Sequence, residues 1–266
     1  MNTHPSYPAR CDINDIEYEK ECPFYEDKIL DKFVGIWADS KNVSEEELKE
    51  RLSWENNKLV PLKSLNYKFI NGKPINKTRT GIKGRGLLGR YGPNHAADTI
   101  VTRINWFKLC IEFIGGIRTD TNNLTWCIPG GMVDPGESVS LTIKREFKEE
   151  VASENSDDLL NEVFKNGKIL YAGETNGDPR TTDNAWIETY VVHYHLTNKI
   201  ANKIKLTPQE GEIKNVKWIS CDINNMYGDH KKFIKLAKKN VIIMKLRKLG
   251  INLLILSIVF GLVFYN

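Results

Sequence analysis

Paired or zinc-spaced cysteines are missing from this chain. Its five cysteines, Cys11, Cys22, Cys110, Cys127 and Cys221, are odd in number and form no CxxC. Neither a disulfide framework nor a thiolate zinc site is expected; reduced, packed thiols in a reducing compartment are. Internal repeats and low-complexity blocks are also missing, which excludes solenoid architectures. The opening residues, MNTHPSYPARCDINDIEYEKE, hold no apolar h-region and many acids. That pattern opposes a secretory signal and a mitochondrial transit peptide, and it removes the meaning of the sequons at Asn42, Asn76 and Asn123. No acid follows Asp229, whereas eight bases do: Lys231, Lys232, Lys235, Lys238, Lys239, Lys245, Arg247 and Lys248. The formal net charge of +4 is therefore +8 at the C-terminal end and −4 over residues 1–230. The basic balance belongs to the tail, and the body is not expected to bind nucleic acid.

What is present is ordinary for a globular chain: 266 residues, 41% hydrophobic and 27% charged, enough for one large core or two modest ones. The exception is the run LGINLLILSIVFGLVFY at 249–265, without charge and with Asn252 and Ser257 as its polar groups. It is slightly short of the ~20 residues that span a bilayer. Lys245, Arg247 and Lys248 lie directly before it, and such bases tend to stay cytosolic. The expectation is a C-terminal membrane anchor on an intracellular protein with its catalytic domain in the cytosol, with a buried terminal helix or a faulty gene-model end as the alternatives and a mitochondrial location left open.

Along the chain, Ser44 with Glu47 three residues later forms a capping box and predicts a short helix at about 44–53. Residues 71–98 hold six glycines, two prolines and many bases, which reads as loop. From about 100 onward strands alternate with turns. Strands are predicted at Ile100–Ile104 and Leu109–Ile117, with Gly115-Gly116 as a bulge, and at Trp126–Ile128. Val139, Ile143, Phe147 and Val151 recur every four residues and predict a helix over 138–151. A short helical piece at 159–164, strands at about 168–173, 186–195 and 216–220, and a basic helix at about 228–240 complete an α/β pattern.

One stretch carries the chemistry. Gly131 is followed after five residues by Glu137, and after seven more by Arg145-Glu146-Phe147-Lys148-Glu149-Glu150. Glu146, Glu149 and Glu150 stand at i, i+3 and i+4, on one helix face. Three clustered carboxylates repel unless a cation neutralises them, and hard oxygen ligands suit Mg²⁺, which fills its shell with waters and substrate phosphates. The loop Gly130–Gly136 lets backbone carbonyls and Glu137 approach the same place. Arg145 is expected to orient the acidic cluster by an ion pair, with Glu137 one candidate partner. A solvated acidic helix face is the plain alternative, and the upstream glycine loop at the right distance argues against it.

This stretch resembles the Nudix box, G-x5-E-x7-R-E-U-x-E-E-x-G-U with U a bulky aliphatic or aromatic residue. Every fixed position matches through Glu150; Ala152 replaces the final glycine and Ser153 the final U. Together with GRGLLGRYGPNHAADTIVTR (84–103) and GDPRTTDNAWIET (177–189), it is similar to the ADP-ribose pyrophosphatase branch of that family. The branch includes the animal mitochondrial ADP-ribose hydrolase and a domain of the ADP-ribose-gated cation channel, and its members also lack the final glycine. The resemblance covers roughly 65–240. It implies a Nudix α/β/α sandwich at about 105–240, a smaller N-terminal lobe over 1–104, and the tail 241–266 beyond.

It further implies Mg²⁺ (or Mn²⁺) held by Glu146, Glu149 and Glu150, Glu150 being the first candidate for base, with Arg145 and Glu137 in support. The reaction implied is hydrolysis of ADP-ribose to AMP and ribose 5-phosphate. Substrate contacts are expected from Asp178, Arg180, Asp183 and Asn184, and from Arg90, Asn94 and Asp98 in the glycine-rich run, with Arg85 and His95 beside them. Arg180 suits a forked contact to phosphate; its plain alternative is a surface ion pair. Trp186, Trp218 and Tyr194 read as core. The channel domain replaces residues at the positions of Glu146-Phe147, so the intact Arg145-Glu146-Phe147 here favours an enzyme over a sensor of ADP-ribose. Another nucleoside diphosphate derivative is the remaining substrate alternative, and the oligomeric state is open.

Overall fold

The computed structural model describes residues 38–40, 42–119, 125–176, 178–211 and 213–248. The run 249–265 and most of the N-terminal 60 residues lie outside it. Two compact units interleave along the chain. Among the described residues, the first draws on 38–98, 130–143 and 171–191, and the second on 99–129, 144–170 and 192–248.

In the first unit, Ser44 accepts a hydrogen bond from the Glu47 amide at 3.1 Å and starts helix α1, Glu45–Lys49. The helix is shorter than its capping signal suggested because Leu52–Glu55 (β1) is drawn into a hairpin with Lys58–Pro61 (β2). Asn56 and Asn57 make the two-residue turn, with φ of 50° and 62°, the backbone that tight hairpins require and asparagine tolerates. Lys68–Ile70 (β3) and Lys73–Ile75 (β4) form a second hairpin. The glycine-rich stretch is less irregular than its composition predicted. It yields β4 at one end, and at the other β5, Gly92–Asn105, begins while glycine and proline still occupy the chain. The Gly92 amide donates to the Asn184 carbonyl at 2.7 Å, a tertiary bond that overrides local preference.

Gly130–Met132 (β8) pairs antiparallel with β5, setting Ala97 opposite Gly131 and Asp98 opposite Gly130. A methyl group on Gly130 would sit 2.3 Å from Asp98 Oδ1 and 2.7 Å from the Ala97 carbonyl. Only glycine fits that approach. Lys168–Glu174 (β9) and Ala185–His195 (β10) each run from one unit into the other, as β5 does.

In the second unit, Cys110–Arg118 (β6) pairs with β5 and with Ile213–Ser220 (β11), and Trp126–Cys127 (β7) adds to β6. The sheet order is β11-β6-β5-β10-β9, with β7 on β6 and β8 on β5. The irregularity expected at Gly115-Gly116 lies on the facing strand, between Lys214 and Lys217, where Asn215 takes φ 55°. The glycines serve close packing instead: a Cβ on Gly116 would be 2.2 Å from Ile213 Cγ2.

Helix α2, Val139–Val151, matches its predicted stripe, with Ile143, Phe147 and Val151 buried. Phe147 meets Phe164 edge-on, and Phe164 meets Tyr194 likewise, at 5.2 and 4.9 Å. Helices α3 (Asp157–Val163), α4 (Asn198–Ala201) and α5 (His230–Lys248) complete the described chain, which is mixed α/β around a sheet. Among the described residues no helix is long and apolar enough to cross a membrane. Cys110, Cys127 and Cys221 are free thiols, two of them buried.

Candidate active site

Burial of Ile143, Phe147 and Val151 fixes the rotation of α2 and leaves its acidic positions on other faces. Glu146 and Glu149 both reach the Arg145 guanidinium, Nη1 lying 2.8 Å from Glu146 Oε1 and 3.3 Å from Glu149 Oε2. The two environments differ: the Glu146 side chain is 14% exposed and that of Glu149 49%. Glu150 is buried, and its carbonyl accepts the Gln209 amide at 3.1 Å. Glu137 precedes the helix in the first unit, where Thr142 Oγ1 donates to Glu137 Oε2 at 2.8 Å. The carboxylate is thereby tied to the first turn of α2. Gly136, with φ 83°, makes the preceding turn.

Among the described residues no three His, Cys, Asp or Glu side chains converge closely enough to make a finished metal cage. An ion that keeps several waters does not need one. The donor set suits a hard divalent cation. Glu146 and Glu149 offer carboxylate oxygens to a shared positive group, so this face of α2 already accommodates a cation. Ala152 stands where the motif has glycine, and it keeps an ordinary negative φ. Its amide closes the last helical bond to Lys148 at 3.3 Å, and it bridges to Thr207. Nothing in that backbone requires glycine.

The expected substrate residues sort by what their polar atoms touch. Arg180 forks onto Asp178, Nε and Nη2 lying 3.0 and 2.9 Å from its two oxygens. Asp178 also accepts the Arg180 amide at 2.9 Å, so the pair is a rigid local unit. Asp183 is fully buried and accepts from the Thr80 amide at 2.5 Å, from Thr80 Oγ1 and the Gly81 amide at 3.1 Å, and from Arg79 Nε at 3.1 Å. Asn184 Oδ1 accepts the Gly84 amide at 2.8 Å and its Nδ2 donates to the Pro74 carbonyl at 3.1 Å. These two residues hold residues 79–84 of the glycine-rich loop. Asn94 Nδ2 donates to the carbonyls of Arg90, Gly92 and Trp186 and is buried as well. Buried Asp98 accepts from Thr189 Oγ1 at 2.5 Å. Buried Arg85 donates to the Asp39 carbonyl, and Arg90 is partly exposed.

Two acidic residues of the first unit escaped the sequence reading. Glu188 is buried and accepts from Ser53 Oγ at 2.6 Å, the Trp54 amide at 2.7 Å and Trp186 Nε1 at 3.0 Å. His95 Nε2 lies 3.7 Å from the same carboxylate. Burial raises the pKa of Glu174, and the Glu188 charge adds to that effect. The available signal was an acid, Glu188, inside the apolar strand run Ala185–Val192. Trp186 is fully buried and stacks on Tyr67 at 5.1 Å, as expected of a core residue.

A strand-held glycine turn, a glutamate tied to the first turn of the next helix, and carboxylates held to an arginine on that helix lie within or next to residues 115–237, which match the NUDIX domain. A nudix protein of Caenorhabditis elegans is 47% identical over 175 residues, 63% of this chain and 64% of that protein. The mitochondrial ADP-ribose pyrophosphatase of Rattus norvegicus is 39% identical over 230 residues, 76% of this chain and 63% of the relative. The chain thus spans just under two thirds of both. A transient receptor potential cation channel subfamily M member-like 2 of Nematostella vectensis is 43% identical over 148 residues, 48% of this chain and 9% of the channel.

Proposed function

We propose that this chain hydrolyses the diphosphate of ADP-ribose to AMP and ribose 5-phosphate with a divalent ion, Mg²⁺ or Mn²⁺. The observation that carries the reading is the pair of carboxylates, Glu146 and Glu149, turned to one cationic group on α2. Glu146, Glu149 and Glu150 would hold the ion. When bound, it supplies charge screening of the diphosphate and a more acidic water. Arg145 keeps the carboxylates oriented between turnovers, and Thr142 ties Glu137 to the first turn of α2. The Asp178–Arg180 unit presents a guanidinium whose direction is already fixed, which lowers the ordering cost of gripping a phosphate. Support for ADP-ribose in particular is the likeness to a pyrophosphatase named for it.

The test is chromatography of ADP-ribose incubated with the purified chain. AMP and ribose 5-phosphate should form with Mg²⁺ or Mn²⁺, and the activity should vanish with chelator and return on metal addition. Glu146→Gln and Glu149→Gln should each lower kcat by about a hundredfold or more, the worth of several kcal/mol at a metal site, with little change in Tm. Undiminished turnover in folded variants would overturn the assignment. We further assign the run 249–265 to holding the enzyme at a membrane; release of the native protein by alkaline carbonate would remove that role.

A further inference from the structure

The turn joining β5 to β6 is built in an unusual way. Its residues are Trp106, Phe107, Lys108 and Leu109; Trp106 is 61% exposed, Leu109 84%, and Phe107 fully so. Three large apolar side chains in four residues at one tip make an exposed patch that a soluble surface does not need. The tip is held rather than loose. Asn105 Oδ1 accepts the amides of both Phe107 and Lys108 at 3.1 Å. Asn105 Nδ2 in turn donates to Glu112 at 2.9 Å, and Arg103 pairs with the same buried carboxylate at 2.9 Å. Leu109 takes φ 51°, a conformation that costs a leucine energy and persists when its surroundings enforce it.

The flank of the tip is basic. Lys245 Nζ, from the last turns of α5, stands 5.5 Å from the Trp106 ring centroid. Trp106, Met244, Lys245 and Lys248 share the walls of a cavity of about 240 Å³ with His195. Lys108 at the tip has its side chain 70% exposed, its Nζ 3.6 Å from Glu112 Oε1. Beyond Asp229 the sequence offers eight bases and no acid.

We propose that the 106–109 tip and the C-terminal end of α5 form a docking surface for an anionic lipid bilayer. Phe107 and Leu109 insert among the upper acyl chains, Trp106 lies at headgroup level as tryptophan prefers, and Lys108, Lys245 and Lys248 meet lipid phosphates. The choice of occupant rests on charge complementarity and on continuity of chain. Lys245 and Lys248 flank the Trp106 side of an apolar tip that carries Lys108 itself, and the uncharged run 249–265 begins directly after Lys248. The contact is additional to that run and differs from it in requiring acidic lipid.

Hydrogen exchange of the full chain tests this with three samples: no vesicles, phosphatidylcholine vesicles, and phosphatidylcholine vesicles containing phosphatidylserine. The amides of 106–109 should slow several-fold on the phosphatidylserine vesicles alone. Phe107→Ser with Leu109→Ser, and separately Lys245→Glu with Lys248→Glu, should each abolish that protection, and either pair should lower partition to the acidic vesicles by on the order of tenfold. Protection equal on both vesicle types would mean that run 249–265 does the binding alone and would overturn the proposal. Protection without vesicles that disappears in the Phe107→Ser with Leu109→Ser variant would overturn it too, because it would exceed what the Asn105 hydrogen bonds supply and would mean that another part of the protein or a second copy covers the tip. Absence of protection in all three samples would do the same.

Discussion

Asp183 offers the sharpest separation between holding the loop and holding the substrate. Its carboxylate is fully buried and accepts from the amides of Thr80 and Gly81, from the Thr80 hydroxyl and from Arg79. Asp183→Ala removes every one of these acceptors at once. Each buried donor left without a partner costs roughly 1–3 kcal/mol. Three uncharged donors alone therefore cost about 3 kcal/mol or more, before any loss at Arg79. Against a typical total of about 5–15 kcal/mol, that is a large fraction. Asp183→Asn keeps one oxygen for Thr80 and Gly81 but loses the charge and turns an amide NH2 toward Arg79, so its loss should be smaller than that of Asp183→Ala without vanishing. Urea unfolding followed by circular dichroism measures both, read as a shift in midpoint at constant slope. A loss under about 1 kcal/mol for Asp183→Ala, accompanied by a raised KM for ADP-ribose, would refute the loop-holding role and return Asp183 to the substrate.

Two further outcomes follow from other parts of the chain. Burial, helped by the charges on His195 and Lys168, lowers the pKa of His193 from 6.5 to about 3. The folded state thus resists the proton that the unfolded chain accepts. Stability is complete above the unfolded value and falls as pH drops from 6.5 toward 3, at about 1.4 kcal/mol per pH unit and up to about 5 kcal/mol in all. His193→Gln should flatten the dependence of Tm on pH between about pH 4 and about pH 6 relative to wild type, and parallel curves would exclude this titration. Gly130→Ala, whose methyl would meet Asp98 and the Ala97 carbonyl, should cost about 2 kcal/mol and lower kcat by displacing the turn before Glu137. Unchanged melting and turnover would show that the strand pair yields easily.

What was legible in the sequence was whatever depends on spacing along one element. The stripe Val139, Ile143, Phe147 and Val151 placed α2 to within a residue at its start and set its buried face. The contact between Arg145 and Glu149 is an i, i+4 pair that the same spacing supplies. What was not legible depends on partners far along the chain. Asp183 and Asn184 were expected at the substrate because 177–189 resembles a family motif; their loop-holding partners, Thr80, Gly81 and Gly84, lie about a hundred positions earlier and leave no local trace. Gly92 and Pro93 read as loop because local preference says so, while the bond from the Gly92 amide to Asn184 makes them strand.

The same distinction explains why the glycine-rich run and the 177–189 motif carry so many polar residues without each being a contact to substrate. A loop of six glycines cannot hold a shape by side-chain packing, since glycine has none and loses the most entropy when fixed. Its amides must therefore be tied by acceptors brought from elsewhere. Asp183 and Asn184 supply them, Asn94 ties the carbonyls of Arg90, Gly92 and Trp186, and Arg51 pins Asp39 and the Tyr91 carbonyl at 2.6–2.7 Å. A motif that looks like one binding site thus holds residues that build the loop, Asp183 and Asn184, beside Arg180, whose guanidinium Asp178 orients and which we assign to a phosphate. If that division holds, substitutions at Asp183 and Asn184 should move Tm and kcat together, whereas Arg180→Lys should raise KM with Tm unchanged, because lysine keeps the charge but cannot fork.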